Sequence, residues 1–182
     1  DVAGVSAISV KGAKAPTVDC RIPLLSLPLA FKTELNSIPV APRYLRPSPD
    51  TVARWSELLG PQIKPRVALA WSGAAIHKND RNRTIVLADL LPFLPEGIEY
   101  FSLQKEVRES DEAALKASRI RDMREHLTDF AETAALVELM DLVMCVDTSV
   151  AHLAGALGKT TWVLLPHSPD WRWMLKIGRA HV

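Results

Sequence analysis

The segment that begins at Asp147 holds the residues best suited to chemistry. An apolar run over Leu142–Val146 stops at this carboxylate, and Thr148, Ser149 and His152 follow. A strand that leads into a helix N-terminus offers free backbone N–H groups where α/β sheets bind phosphates. Asp147 would repel an anion, so we expect its carboxylate to cap the helix or to bind hydroxyl groups while the N–H groups take a phosphate. The alternative is an ordinary strand–helix junction with a capping aspartate and a solvated histidine.

The residues after this apolar run have the period of an amphipathic helix. Its core stripe is formed by Val150, Leu153, Ala154 and Leu157. Thr148 and His152 lie on the opposite side. Ala151 and Gly155 keep that side short, so a ligand could approach it closely, and Gly158 supplies the helix stop.

A basic loop after the apolar run 66–71 is the second candidate. Gly73 permits a tight turn there. Lys78, Arg81 and Arg83 then place three cations in the loop, and their charge and reach suit a diphosphate. The alternative is a solvated basic loop with no ligand.

Short apolar runs and helical patterns alternate from residue 66 onward. The runs of strand length are 66–71, 98–103, 120–123, 142–146 and 161–165, and the helical patterns are 86–94, 109–117, 129–140 and 149–157. This alternation predicts right-handed crossovers and a parallel sheet, with ligands at the carboxyl ends of the strands. Ser72 and Gly73 follow the first run, Gln104 the second and Asp147 the fourth.

Residues 1–60 are expected to form the end of one domain and a linker, and residues 61–176 a second, incomplete domain. Residues 5–10 have the pattern of a strand, and Asp50 or Thr51 is expected to cap a short helix that ends at Gly60. The codons ATC GGA AGA GCA CAC GTC of a common sequencing adapter encode residues 177–182, so we expect these to be a non-native tail.

Composition argues against several classes of protein. The chain is 48% hydrophobic and 24% charged with a formal net charge of +1, which is typical of a globular protein without a nucleic acid partner. No apolar run reaches the roughly twenty residues of a membrane span. Cys20 and Cys145 form no disulfide framework and the histidines show no metal spacing, so we expect a cytoplasmic location and no metal site.

Two catalytic or phosphate-binding motifs are also excluded. Leu153 stands where a Walker loop ending at Thr160 needs a glycine, so we expect Lys159 to be a charge at a helix C-terminus. No serine lies in a G-x-S-x-G elbow, which argues against a hydrolase triad.

Several stretches of the sequence together carry a family resemblance. They are RVALAWSG with HKNDRNR, FSLQK, LTDFAETAALVELMDLVMCVDTSVAHLAGALGK and WVLLPHSPDWRW. These stretches resemble the C-terminal half of the family 9 glycosyltransferases, of the heptosyltransferase type. The lead-in RIPLLSLPLAFKTELNSIP is similar to that of members fused behind tetratricopeptide repeats. The resemblance covers residues from about 20 to 175, and its most specific parts are residues 147–158 and 77–83.

The resemblance implies a GT-B fold, in which two Rossmann-like domains face each other and the C-terminal one holds most of a nucleotide-sugar donor. The catalytic residues implied are Lys78, which would neutralise leaving-group charge, Asp147 and His152. From the residues and the resemblance together, the expected donor-binding residues are Ser72, Gly73, Lys78, Arg81, Arg83, Gln104, Asp147, Thr148, Ser149, His152 and Leu153. No cofactor or metal is implied, and the partners are the donor and an acceptor, protein or glycan.

The resemblance also places the acceptor-activating carboxylate upstream of residue 1 and further helices beyond residue 176. We therefore expect the chain to be truncated at both ends and inactive by itself. The expected parent protein is a metal-independent glycosyltransferase that moves a hexosyl or heptosyl group. The alternative is a non-catalytic nucleotide-binding or scaffold module with the same fold.

Overall fold

The computed structural model describes residues 5–10, 12–14, 16–38, 42–76, 79–170 and 173. The chain divides into two compact units, Asp1–Ala41 and Pro42–Val182. The predicted tail over residues 177–182 lies outside the described residues. Of the helices in the described ranges, none combines the length and the apolar character needed to span a bilayer.

Short helical turns are the regular structure of the first unit within its described residues. Turns of 3₁₀ helix occupy Leu24–Ser26 and Leu35–Ser37, and α1 is the single turn Leu27–Ala30. Residues 5–10 form no strand, so that prediction was wrong. Every residue of this stretch is exposed, so burial contributes nothing to hold it in a sheet.

The second unit alternates strands and helices as predicted. Its strands are β1 (Arg66–Ala70), β2 (Glu99–Ser102), β3 (Ile120–Asp122), β4 (Leu142–Val146) and β5 (Thr161–Leu164). Its helices are α2 (Pro49–Leu59), α3 (Asp80–Arg83), α4 (Leu87–Leu90), α5 (Glu109–Ala117), α6 (Phe130–Glu138) and α7 (Ser149–Ala156). A 3₁₀ turn over Leu91–Phe93 follows α4 and contains Pro92, which interrupts the helix predicted over 86–94 because proline lacks an N–H donor.

The five strands form one parallel sheet in the order β3-β2-β1-β4-β5. Ala68 at the middle of β1 pairs with Phe101 of β2 on one side and Val143 of β4 on the other. The order of the strands reverses at β1, as in Rossmann-like sheets. The carboxyl ends of β1 and β4 therefore flank the crevice where such sheets bind ligands.

Both faces of β1 are buried, which explains why every residue of the strand after Arg66 is apolar. Val67 and Leu69 pack with Leu87 of α4 in a cluster on one face. Ala68 and Ala70 face the other cluster, which contains residues of α2, α6 and α7. This alternation places helices on both faces of the sheet, so the prediction of an α/β, Rossmann-like fold is confirmed.

Residues 42–60 belong to the second unit and pack against its helices. Trp55 and Leu59 of α2 are buried in the same cluster as α6. The backbone N–H groups of Tyr44 and Leu45 both donate to the carbonyl of Ala156 at 3.0 Å, at the end of α7. The division of the chain into an acceptor-domain remainder and a donor domain at residue 60 stays a prediction.

Local chemistry sets the ends of the helices. α2 begins at Pro49, so Asp50 and Thr51 lie inside its first turn and the prediction that one of them is the cap was wrong; Ser48 is the N-cap, without a side-chain bond. Gly60 ends α2 with φ 77°, and Gly158 follows α7 with φ 68°, as predicted. Both glycines adopt a left-handed conformation that other residues adopt only at a cost.

Candidate functional site

A cleft of about 610 Å³ opens at the carboxyl ends of the strands. The loops after β1 and β2 and the N-termini of α6 and α7 form its walls. The predicted site residues that line it are Ser72, Gly73, Arg83, Gln104, Thr148 and Ser149. The structure thus brings together side chains that lie far apart in the sequence because β1 and β4 are neighbours.

Arg83 spans the crevice between β1 and β4. Its Nη1 donates a hydrogen bond of 2.7 Å to the backbone carbonyl of Asp147. Its guanidinium also lies over Gly73, where a Cβ would come within 2.4 Å of Nη2. The basic loop is therefore fastened to the junction that leads into α7.

Several buried polar atoms around this crevice have no partner within the described part of the chain. They are Oγ of Ser72, Oγ1 of Thr148 and Nε of Arg83. Burying a hydrogen-bonding group without a partner costs free energy, so sites with such groups are suited to a polar ligand. All three residues line the cleft.

The N-terminus of α7 is open, whereas that of α6 is capped. Asp129 accepts hydrogen bonds from the N–H groups of Ala131 and Glu132 at 2.8 and 2.9 Å. At α7 the N-cap is Thr148, and its side chain makes no capping bond. The expectation that Asp147 caps this helix was therefore wrong, and its half-buried carboxylate has no hydrogen-bond partner among the described residues. First-turn N–H groups without intrahelical partners attract anions, so of the two helices that begin at the cleft α7 is the one that can receive an anion.

Gln104 holds the loop after β1 in place. Its Oε1 accepts from the N–H of Ser72 at 3.2 Å, and its Nε2 donates to the carbonyls of Ser72 and Glu106 at 3.0 and 3.1 Å. This amide already makes its hydrogen bonds within the protein, so it shapes the wall of the cleft. The sequence analysis predicted a contact with the donor at this residue.

The other predicted site residues lie away from the cleft lining or outside the described residues. Arg81 is exposed, and half-buried Leu153 packs against the core. The imidazole of His152 stacks on Trp173 with ring centroids 5.6 Å apart and an interplanar angle of 15°. Lys78 lies outside the described residues.

One small residue of α7 lies on a different face from the one expected. Ala151 is buried in the core cluster, so it does not lie on the side of α7 that a ligand was expected to approach. Gly155 has open space beside it, since a Cβ built at this position would meet nothing within 4 Å.

The segment 123–169 contributes α6, β4, α7 and β5 to this architecture. Residues 123–169 match the model of glycosyltransferase family 9 (heptosyltransferase). No curated protein and no solved structure matches the chain. The matched segment includes the open N-terminus of α7 and the capped N-terminus of α6, and the match supports a glycosyltransferase.

Some residues that line the cleft within this segment were missed by sequence reasoning. They are Thr128, Asp129, Phe130 and Thr133 around the start of α6. An aspartate just before a helical apolar pattern is a capping signal, which could have directed attention to the loop after β3. The loop after β2 adds Lys105 and Glu106, and Lys105 donates to the carbonyl of Arg124 at 3.2 Å.

Cys145 lies in β4, two residues before Asp147, and its thiol does not provide a nucleophile. Burial raises the pKa of its thiol to about 12, and the negative charge of Asp147 adds to this effect. A thiol with such a pKa is neutral at physiological pH and unreactive. No group of three histidine, cysteine, aspartate or glutamate residues within the described ranges could hold a metal ion.

Proposed function

We propose that this cleft binds the donor of a glycosyltransferase that transfers a sugar from a nucleoside-diphosphate carrier. The observation that carries the proposal is the open N-terminus of α7, which lies at the crevice between β1 and β4 and inside the segment that matches the family model. The unpartnered hydroxyls of Ser72 and Thr148 border the same crevice.

The leaving group determines what the site must supply. Breaking the bond between the sugar and the diphosphate develops negative charge on the departing phosphate oxygens. Oriented N–H groups and a fixed cation stabilise such charge best where they are already in place before the reaction. The first turn of α7 and the guanidinium of Arg83 provide both, so the proposal includes no metal.

Asp147 determines the orientation of the donor in the cleft. Its carboxylate would repel phosphate but can accept hydrogen bonds from sugar hydroxyls. The diphosphate then lies against the N–H groups of α7 and the sugar lies toward Asp147. The catalytic roles of Lys78 and His152 are part of this proposal and rest on the sequence resemblance, as do tetratricopeptide repeats in the parent protein. A cytoplasmic location rests on the cysteine pattern.

Isothermal calorimetry with a set of nucleoside diphosphates tests the proposal. We expect binding that weakens with added salt and that persists with a chelator, and a loss of about tenfold or more in Arg83→Gln. Nucleosides without phosphate serve as the control and should bind far more weakly. Equal affinity for nucleoside and nucleoside diphosphate would contradict the proposed anion site, and loss of binding with the chelator would contradict its metal independence.

A turnover assay separates an enzyme from a binding module. The parent protein expected from the resemblance is incubated with a set of nucleotide sugars, and release of the nucleoside diphosphate is measured. Release that is lost in Arg83→Gln supports the transferase. Tight binding of a nucleotide sugar without release would support the non-catalytic module instead.

A further inference from the structure

We propose that Asp80 is a positioning residue, which holds the guanidinium of Arg83 in the orientation that binds the donor diphosphate. Asp80 is the first residue of α3 and is only 7% exposed. It is not among the residues that line the cleft. The inference rests on the proposed function, since it assigns a role within the same anion site.

The carboxylate of Asp80 is held from two sides. The hydroxyl of Thr84 donates to Oδ1 at 3.1 Å, and Nη2 of Arg108 pairs closely with Oδ2. The same Nη2 donates to Oγ1 of Thr84 at 3.1 Å, which closes a small network. A buried carboxylate with these partners has a fixed position.

Arg83 is held between this carboxylate and the crevice. Its Nε lies 3.8 Å from Oδ1 of Asp80, an ion pair without a hydrogen bond, and its Nη1 donates to the carbonyl of Asp147. Its side chain is only 13% exposed, although arginine loses considerable rotamer entropy when it is fixed. With Asp80 in place, the side chain of Arg83 is already ordered before a ligand binds. Binding then loses less side-chain entropy, which favours it.

Charge and position predict opposite effects of removing the carboxylate. If Asp80 acted only through its negative charge, replacing it by asparagine would strengthen the binding of an anion nearby. If Asp80 positions Arg83, the same replacement weakens anion binding because the guanidinium is no longer held. The sign of the change therefore distinguishes the two roles.

The experiment measures the affinity of the 182-residue chain for inorganic pyrophosphate by calorimetry. We expect Asp80→Asn to weaken binding about tenfold, while Asp89→Asn, the same change at an exposed aspartate of α4, alters affinity by less than about threefold. Unchanged or tighter binding in Asp80→Asn would overturn the proposal. A thermal melt of each variant verifies that it is folded.

A second pair of variants is available because Asp80 is buried and Asp80→Asn could fail to fold. Thr84→Val removes the hydroxyl that bridges Asp80 and Arg108 without changing any charge, and Thr84→Ser keeps it. We expect Thr84→Val to weaken pyrophosphate binding several-fold and Thr84→Ser to retain it. Equal affinities in the two variants would contradict the positioning role.

The result for the unaltered chain separates this proposal from the proposed function. If the unaltered chain does not bind pyrophosphate, the anion site itself is refuted. If it binds, and Arg83→Gln weakens binding while Asp80→Asn and Thr84→Val do not, the proposed function survives and only the role of Asp80 is refuted.

Discussion

The guanidinium of Arg83 lies so close to the backbone of Gly73 that a Cβ on Gly73 would stand 2.4 Å from Nη2 and 2.7 Å from Cζ. Real Cβ atoms do not approach other heavy atoms this closely, so a larger residue at 73 would displace the guanidinium. Since the same guanidinium reaches the carbonyl of Asp147, its place depends on the absence of a side chain at position 73.

Gly73→Ala should weaken pyrophosphate binding about tenfold, because Arg83 must leave its position over the loop. The matched control is Gly155→Ala, since the Cβ of an alanine there meets nothing within 4 Å. This control should leave the affinity unchanged and stabilise α7 by up to about 1 kcal/mol. Calorimetry and thermal melts of both variants provide the measurement. Equal affinities would show that Arg83 tolerates the displacement.

Asp147→Asn should lower the affinity for a nucleotide sugar relative to the affinity for the matching nucleoside diphosphate. Removing the negative charge should leave nucleoside diphosphate binding equal or up to about tenfold tighter. Binding of a nucleotide sugar should weaken relative to the same diphosphate, because an amide is a poorer acceptor for sugar hydroxyls. Competitive calorimetry with matched pairs of nucleotide sugar and nucleoside diphosphate tests this. A parallel change for both ligands would argue against a sugar contact.

The core residue Leu157 provides the control for Asp147→Asn. Leu157 is 1% exposed at the end of α7, so Leu157→Ala should destabilise the fold by about 2–5 kcal/mol. If Asp147→Asn melts as early as Leu157→Ala, Asp147 is a structural residue.

Gly158→Ala should destabilise the protein more than Gly60→Ala. Both glycines have positive φ, 68° and 77°, so both substitutions should cost about 1–2 kcal/mol from backbone strain. A Cβ at 158 would also meet the carbonyl oxygen of Pro42 at 2.5 Å, whereas one at 60 meets nothing within 4 Å. The contact should add about 1–3 kcal/mol, measured by urea unfolding. Equal losses in the two variants would contradict the packing of Pro42 against the end of α7.

Stability should fall at alkaline pH because of Cys145. Its pKa rises from an ordinary value of 9.0 to about 12 in the folded state, mainly through burial. Between these values the unfolded chain releases the thiol proton and the folded chain keeps it, so the free energy of unfolding decreases as pH rises. The slope is about 1.4 kcal/mol per pH unit above 9.0.

The comparison of the unaltered chain with Cys145→Ala isolates this contribution. Urea unfolding from pH 8.5 to 10.5 should show a steeper loss of stability in the unaltered chain. Parallel pH profiles would mean that the thiol ionises in the folded protein. Exposed Cys20 should react with an alkylating reagent at pH 8.5 while Cys145 does not.

Much of the second unit could be predicted because its signals are local. The periods of the apolar residues depend on neighbours within a few positions, so β4 over Leu142–Val146 and α5 over Glu109–Ala117 agree with the predicted ranges. The stops at Gly60 and Gly158 were predictable for the same reason. Residues 5–10 lacked a strand because a local pattern alone does not supply a partner or a buried face.

The site depended more on contacts that no local pattern encodes. Lys159 was expected as a helix C-terminal charge, and it does lie just after α7, but its Nζ donates to the carbonyl of Glu138 at the end of α6, 2.9 Å away. Likewise, the sequence left Asp147 either as a helix cap or as a group that binds hydroxyls, while the structure places a capping aspartate, Asp129, at the neighbouring helix. Such choices depend on how helices pack on the sheet.

The sequence by itself determined the alternation of strands and helices, the parallel sheet and the polar residues that end its strands. Only the tertiary structure decided that β1 and β4 are neighbours, which brings Arg83 to the carbonyl of Asp147 and leaves α7 open at the crevice. The physical reason is that secondary structure follows from interactions over a few residues, whereas strand order follows from burying both faces of the sheet at once.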